Sequence, residues 1–198
     1  MLRGSVGIVV AIGLFVGMCT PAAAFDGSRK GFILGIGVGP SVTSFTQDLT
    51  GLGQDLSSDR ENEFGLATDF KLGYAPNEQL QIYWASKVSW FALDNALGET
   101  VTVANGLGGA GVSWYLVPQS PSVYFTGAIG FSSWAVPFEE GATTSYGFGI
   151  AGGAGYEFAK HWSVEGLVGF GNPSDTEGDL ELTTKALSAR VTINVLGY

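Results

Sequence analysis

The chain carries a single cysteine, Cys19, and a single histidine, His161, and only 14% of its residues are charged. One thiol rules out a disulfide framework. Basic residues are equally scarce, nine Lys and Arg against eighteen Asp and Glu, for a formal net charge of −9. A surface of that sign repels phosphate backbones, so nucleic acid is not expected as a partner. Beyond residue 24 there is no long hydrophobic run, although 45% of all residues are hydrophobic. The chain is too poor in charge for an ordinary soluble surface and too interrupted for membrane-spanning helices.

What is present begins with an N-terminal leader. Met1-Leu2-Arg3 precedes an apolar run from Val6 to Met18 and then Thr20-Pro21-Ala22-Ala23-Ala24. A positive start, a short apolar centre and a small-residue end form a secretory signal peptide, with cleavage expected after Ala24. Cys19 leaves with the leader. Residues 25–198 then make one domain.

The rest of the chain alternates. In Tyr146 to Phe158 the even positions read Tyr, Phe, Ile, Gly, Ala, Tyr, Phe and the odd ones Gly, Gly, Ala, Gly, Gly, Glu. A strand covering a water-soluble core would carry polar side chains on its second face, not four glycines. With the apolar, aromatic-ended face toward lipid and the small face toward a narrow barrel interior, the pattern is accounted for. Seven more strands of the same kind are expected at about residues 30–45, 64–74, 79–91, 101–117, 123–131, 162–171 and 182–198. The fourth is glycine-rich at Gly106, Gly108, Gly109 and Gly111, which leaves room for a bulge. Long polar connections alternate with short turns at 75–78, 118–121 and 159–161. The fold class is therefore all-β, an eight-stranded antiparallel up-and-down transmembrane β-barrel preceded by a signal peptide, with long loops outside and short turns in the periplasm. A soluble calycin-like barrel is the competing architecture.

Charge placement follows from the same alternation. Asp69, Lys71, Lys87, Glu157, Glu165 and Arg190 all lie opposite the apolar set of their strands, and a lipid-facing Lys or Arg at the bilayer midplane costs roughly 2–4 kcal/mol. They are expected to form a lumenal ion-pair network of three acids and three bases, formally neutral. Lys185 has outward parity near the outer end of the last strand, where a lysine can snorkel. Thirteen of the eighteen acids fall in the four long connections, against Arg60 alone. Among them Asp175, Glu177, Asp179 and Glu181 alternate, which places four acids on one side of an extended rim. This run is the weak candidate for calcium or magnesium binding, and it lacks the spacing of an EF-hand. Gly147-x-Gly149-x-x-Gly152 and Gly106-x-Gly108-x-x-Gly111 match a dinucleotide fingerprint literally, but neither joins a strand to a helix. Trp84, Trp90, Trp114, Trp162, Tyr146, Tyr156 and Tyr198 are expected to contact lipid and form the interfacial girdles.

From about Lys30 to Tyr198 the pattern resembles the small eight-stranded outer-membrane barrels of Gram-negative bacteria, the OmpA-like and OmpX-like porin superfamily. The resemblance implies a non-enzymatic monomer in the outer membrane with no cofactor. Its partners would be outer-membrane lipids and lipopolysaccharide, with divalent cations bridging the acidic loops. It also implies recognition of the last strand, ending in aromatic Tyr198, by the barrel-assembly machinery. Tyr198 and Leu196 are out of phase with Val191, Ile193 and Val195, and a bulge at Leu196 or Gly197 would restore the phase. Three alternatives use the same barrel: a surface adhesion or immune-interaction protein, a small pore, and a lipid A hydrolase. The last rests on His161-Trp162-Ser163-Val164-Glu165, which resembles the His-x-Ser of the lipid A deacylases. The family's following Asn is Val164 here, and His161 falls on the periplasmic side.

Overall fold

The computed structural model describes residues 28–51, 54–94, 99–139 and 144–198. The expected leader, residues 1–24, and Glu140 lie outside the described residues, as do the side chains of Asp55 and Glu177. Ten strands follow in order: β1 (Gly31–Gly51), β2 (Gln54–Ser57), β3 (Glu61–Asn77), β4 (Leu80–Asp94), β5 (Thr100–Tyr115), β6 (Ser122–Ala135), β7 (Thr144–Ala159), β8 (Trp162–Gly171), β9 (Ser174–Glu177) and β10 (Leu180–Gly197). Each long strand pairs antiparallel with its neighbour, and β1 pairs with β10, which closes the ring of eight. The short β2 and β9 are outer extensions, paired on β1 and β10.

Closure fixes the size of the interior. Paired residues lead from Ile33 through Gly73, Tyr83, Gly111, Ala128, Ala151, Gly169 and Ser188 back to β1 at Thr43, ten residues further along. Eight strands with that stagger enclose a lumen that side chains fill. Large inward residues need space opposite them, and glycine provides it. A Cβ on Gly111 would meet the Tyr83 ring at 2.4 Å, and one on Gly155 would meet the Tyr124 ring at 2.2 Å.

The outer surface is the reverse of a soluble protein's. Ile36, Val38, Ile82, Val112, Phe125, Ile129, Val168, Val191 and Ile193 are all exposed on the barrel wall. Each would forfeit on the order of 1 kcal/mol in water relative to burial. Summed over the wall, that exceeds the roughly 5–15 kcal/mol by which a domain is stable, so this surface requires hydrocarbon and the soluble-barrel alternative fails. Tyr74, Trp114, Tyr156 and Trp162 are exposed close to the short turns, where an aromatic girdle belongs.

Three details differ from the expectations. The fourth expected strand, β5, has no bulge: its register with β4 runs unbroken from Leu80↔Trp114 to Asp94↔Thr100. Its outward Gly108 accommodates the Phe131 ring of β6, which a Cβ would meet at 2.8 Å. Bulges occur instead beside the short turns, between Tyr74 and Asn77 and between Glu157 and Ala159. Strands also continue past the membrane into segments expected to be loops, with Thr46 to Thr50 paired on Lys185 to Glu181. Finally, no bulge shifts the last strand. Leu34↔Gly197, Gly35↔Leu196 and Ile36↔Val195 stay in register, so Leu196 and Tyr198 point inward and are buried. Tyr198 is therefore not a girdle residue.

Candidate functional site

The lumen is stacked in layers, which inward positions along β10 number from the outside: Ala186, Ser188, Arg190, Thr192, Asn194, Leu196, Tyr198. At the outer mouth Phe45, Phe91, Val103, Trp134 and Ala186 form an apolar plug. Trp134 sits with its ring centroid 4.8 Å from Phe45 and 5.6 Å from Phe91. Below it, the Asn105 amide donates to Ser188 Oγ at 2.8 Å, and Ser188 shares a hydrogen bond of 2.9 Å with Thr43.

The charged layer follows. Lys87 Nζ lies 3.0 Å from Asp69 and 2.8 Å from Glu165, bridging the two carboxylates. Lys71 Nζ lies 2.5 Å from the second oxygen of Glu165, which also accepts a hydrogen bond from Tyr124. Arg190 Nη1 approaches Asp69 at 3.5 Å, and Thr192 donates to the same carboxylate. Five of the six residues expected in the lumenal network are thus in one cluster. Every carboxylate oxygen there has at least one donor, the condition under which ionised groups tolerate burial.

Glu157 is elsewhere. It sits closer to the periplasmic end, where Arg29 grips it with Nε and Nη2, each 3.0 Å from one oxygen. Arg29 Nη1 also donates to the Val117 and Pro118 carbonyls, and the guanidinium lies 4.1 Å from the Tyr115 ring centroid. Ser120 and Tyr198 donate their hydroxyls to Glu157 as well. Burial pushes the Tyr198 phenol above its ordinary pKa, which keeps it a donor. Arg29 was not among the expected residues, because it precedes the first alternating segment. With it, the described residues bury four cations and three carboxylates, so the expectation of a formally neutral interior is corrected.

The remaining candidates do not assemble. The His161 ring pairs Nδ1 with the Leu196 carbonyl at 2.9 Å and lies on Tyr198 at 4.6 Å between centroids. Ser163 is hydrogen-bonded to Tyr124, and Glu165 is committed to two lysines, so His161, Ser163 and Glu165 do not form a nucleophile relay. The acidic run is folded, not extended. A turn at Gly178, with φ of 62°, pairs Thr176 with Glu181 and Asp175 with Leu182. Directly paired residues share a face, so Asp175 and Glu181 lie on opposite faces of the hairpin. Among the described residues, no three His, Cys, Asp or Glu side chains converge to hold a metal. Lys185 points outward and pairs with Asp48 at 2.8 Å.

No family model and no curated protein matches the chain. Solved structures do. Outer membrane protein OprG from Pseudomonas aeruginosa superposes with a TM-score of 0.52 at 10% identity, over 86% of this chain and 98% of OprG. Outer membrane protein AlkL in DMPC lipid bilayers gives 0.48 at 12% identity, over 90% and 94%. The attachment invasion locus protein Ail of Yersinia pestis, in complex with the heparin analogue sucrose octasulfate, gives 0.40 at 11% identity, over 82% and 99%. At such identities the likeness is one of architecture. The chain has the fold of the small outer-membrane β-barrels.

Proposed function

We propose that this protein is a non-enzymatic outer-membrane barrel that acts through its outer rim, not through its lumen. The observation that carries the reading is the filled interior: an apolar plug at one mouth, Arg29 on Glu157 at the other and a bridged ion cluster between them. A lumen packed in this way offers a solute no aqueous path, which disfavours the small-pore alternative. The work is left to the strands that extend past the apolar belt and to their acidic connections. Divalent cations held between those carboxylates and lipopolysaccharide phosphates would tie the rim to the outer leaflet, a role in envelope integrity.

The test is binding of purified lipopolysaccharide to the detergent-folded protein with magnesium and with chelator. Retention should rise with magnesium and fall in a variant with Glu61→Gln, Glu63→Gln, Asp175→Asn and Glu181→Gln. Binding indifferent to both changes would reject the reading.

A second reading, surface contact with another protein, is favoured by Leu56 and Phe138, which are 61% and 75% exposed on the outer connections. Large apolar side chains at such positions mark interaction surfaces. Cells bearing Leu56→Ser and Phe138→Ser should then adhere less to host matrix than cells bearing the unaltered protein, with lipopolysaccharide binding unchanged.

A further inference from the structure

The buried charges do not balance. Arg29 and Glu157 close on each other at the periplasmic mouth, which leaves Lys71, Lys87 and Arg190 facing only Asp69 and Glu165. Of these cations Arg190 is the least compensated. Its single contact with Asp69 is long, at 3.5 Å, its Nε has no hydrogen-bond partner, and its side chain is only 4% accessible. A desolvated guanidinium with a free N–H is an expensive arrangement unless something of opposite charge sits against it.

The space for it exists. Arg190, Lys87, Asn105, Ser132 and Ser188 line a partly enclosed cavity of about 20 Å³ between the ion cluster and the outer plug. That volume holds one sphere of about water's size. No carboxylate lines it, and its polar walls are two cations, an amide and two hydroxyls. The site is too small for phosphate, sulfate or an organic acid.

We propose that this cavity binds one small monovalent anion, a halide and in physiological media chloride, with Arg190 Nε as principal donor and Lys87 supplying the second positive charge. The anion brings the mid-barrel cluster to neutrality, and Asn105 and Ser188 complete its shell from the outer side. Asp69, 3.5 Å from Arg190 Nη1, sets the limit on affinity, because it repels any anion that approaches Arg190.

The full chain is folded into detergent micelles in sodium bromide and in sodium gluconate at equal ionic strength, and the bromide form is crystallised for anomalous diffraction. One bromine peak within hydrogen-bond reach of Arg190 Nε is expected; a water or no peak there overturns the proposal. In solution, bromide or chloride should raise the thermal midpoint over gluconate by about 3 °C. Arg190→Gln should abolish that difference. So should Gly169→Ala, which adds a methyl to the cavity wall at ordinary contact distances, 3.5 Å from Ala151 Cβ and 3.7 Å from the Ile150 carbonyl, without removing a charge. A Gly169→Ala protein that folds and keeps the full halide effect also overturns the proposal.

Discussion

Arg29 and Glu157, 128 positions apart in the chain, meet in a two-pronged ion pair with both N···O distances at 3.0 Å and both side chains about 2% accessible. The pair ties the segment just ahead of β1 to the end of β7, so the segment entering the barrel also stops its periplasmic mouth. Arg29→Ala strands a buried carboxylate and should lower unfolding free energy by about 3–5 kcal/mol. Replacing its exposed neighbour, Lys30→Ala, should cost less than about 0.5 kcal/mol. Urea titration in detergent, followed by the heat-dependent gel shift of small barrels, compares the two.

Glu165 is the hub of the mid-barrel cluster, since Lys71, Lys87 and Tyr124 all converge on it. Glu165→Gln leaves two ammonium groups short of a counter-charge and should destabilise by about 3–5 kcal/mol. The double variant Glu165→Gln with Lys71→Met should recover part of that loss, because it removes one of the stranded charges. A double-mutant cycle on the same urea titration measures the coupling. Additive losses would show that the two residues do not interact.

Tyr198 has an inward task. Tyr198→Phe keeps a terminal aromatic ring but removes the hydroxyl that donates to Glu157 and accepts from the His161 backbone N–H. Stability should fall by about 1–2 kcal/mol while insertion into the membrane is unchanged. Quantifying folded protein in isolated outer membranes alongside the urea midpoint separates the two effects.

Glycines on the two faces should respond oppositely to alanine. At Gly111 the new methyl meets the Tyr83 ring at 2.4 Å, whereas at outward Gly127 its nearest neighbour is the Ala151 carbonyl at 3.5 Å. Gly111→Ala should cost about 1–3 kcal/mol through overpacking. Gly127→Ala should be neutral or stabilise by up to about 1 kcal/mol, through lost freedom in the unfolded chain. Thermal midpoints in one detergent check both.

Much of the barrel is legible in its alternation. The strand Trp162–Gly171 is readable end to end, because an interfacial Trp opens it and Val164, Gly166, Val168 and Phe170 keep one parity throughout. Segments beyond the belt are not readable this way. Thr46 to Thr50 and Leu180 to Glu181 have water on their outer side, so no lipid enforces an apolar face and polar strand looks like polar loop. The parity of Leu196 and Tyr198 was visible in the sequence, and the structure follows it: burial and the Glu157 contact hold the ring inside. Arg29 left one trace, a positive charge just ahead of the first strand. Its partner is 128 positions away, and only barrel closure brings them together.

The most direct measurement of the lipid-out, charge-in arrangement is a spin-label scan of β10 in a Cys19→Ser background, with the protein in lipid bilayers. Labels at Ala189, Val191, Ile193 and Val195 should be readily relaxed by oxygen, and labels at Ser188 and Thr192 should be immobile and shielded. An oxygen profile along β10 that does not alternate, or that alternates with Ser188 and Thr192 as the accessible set, would contradict the account.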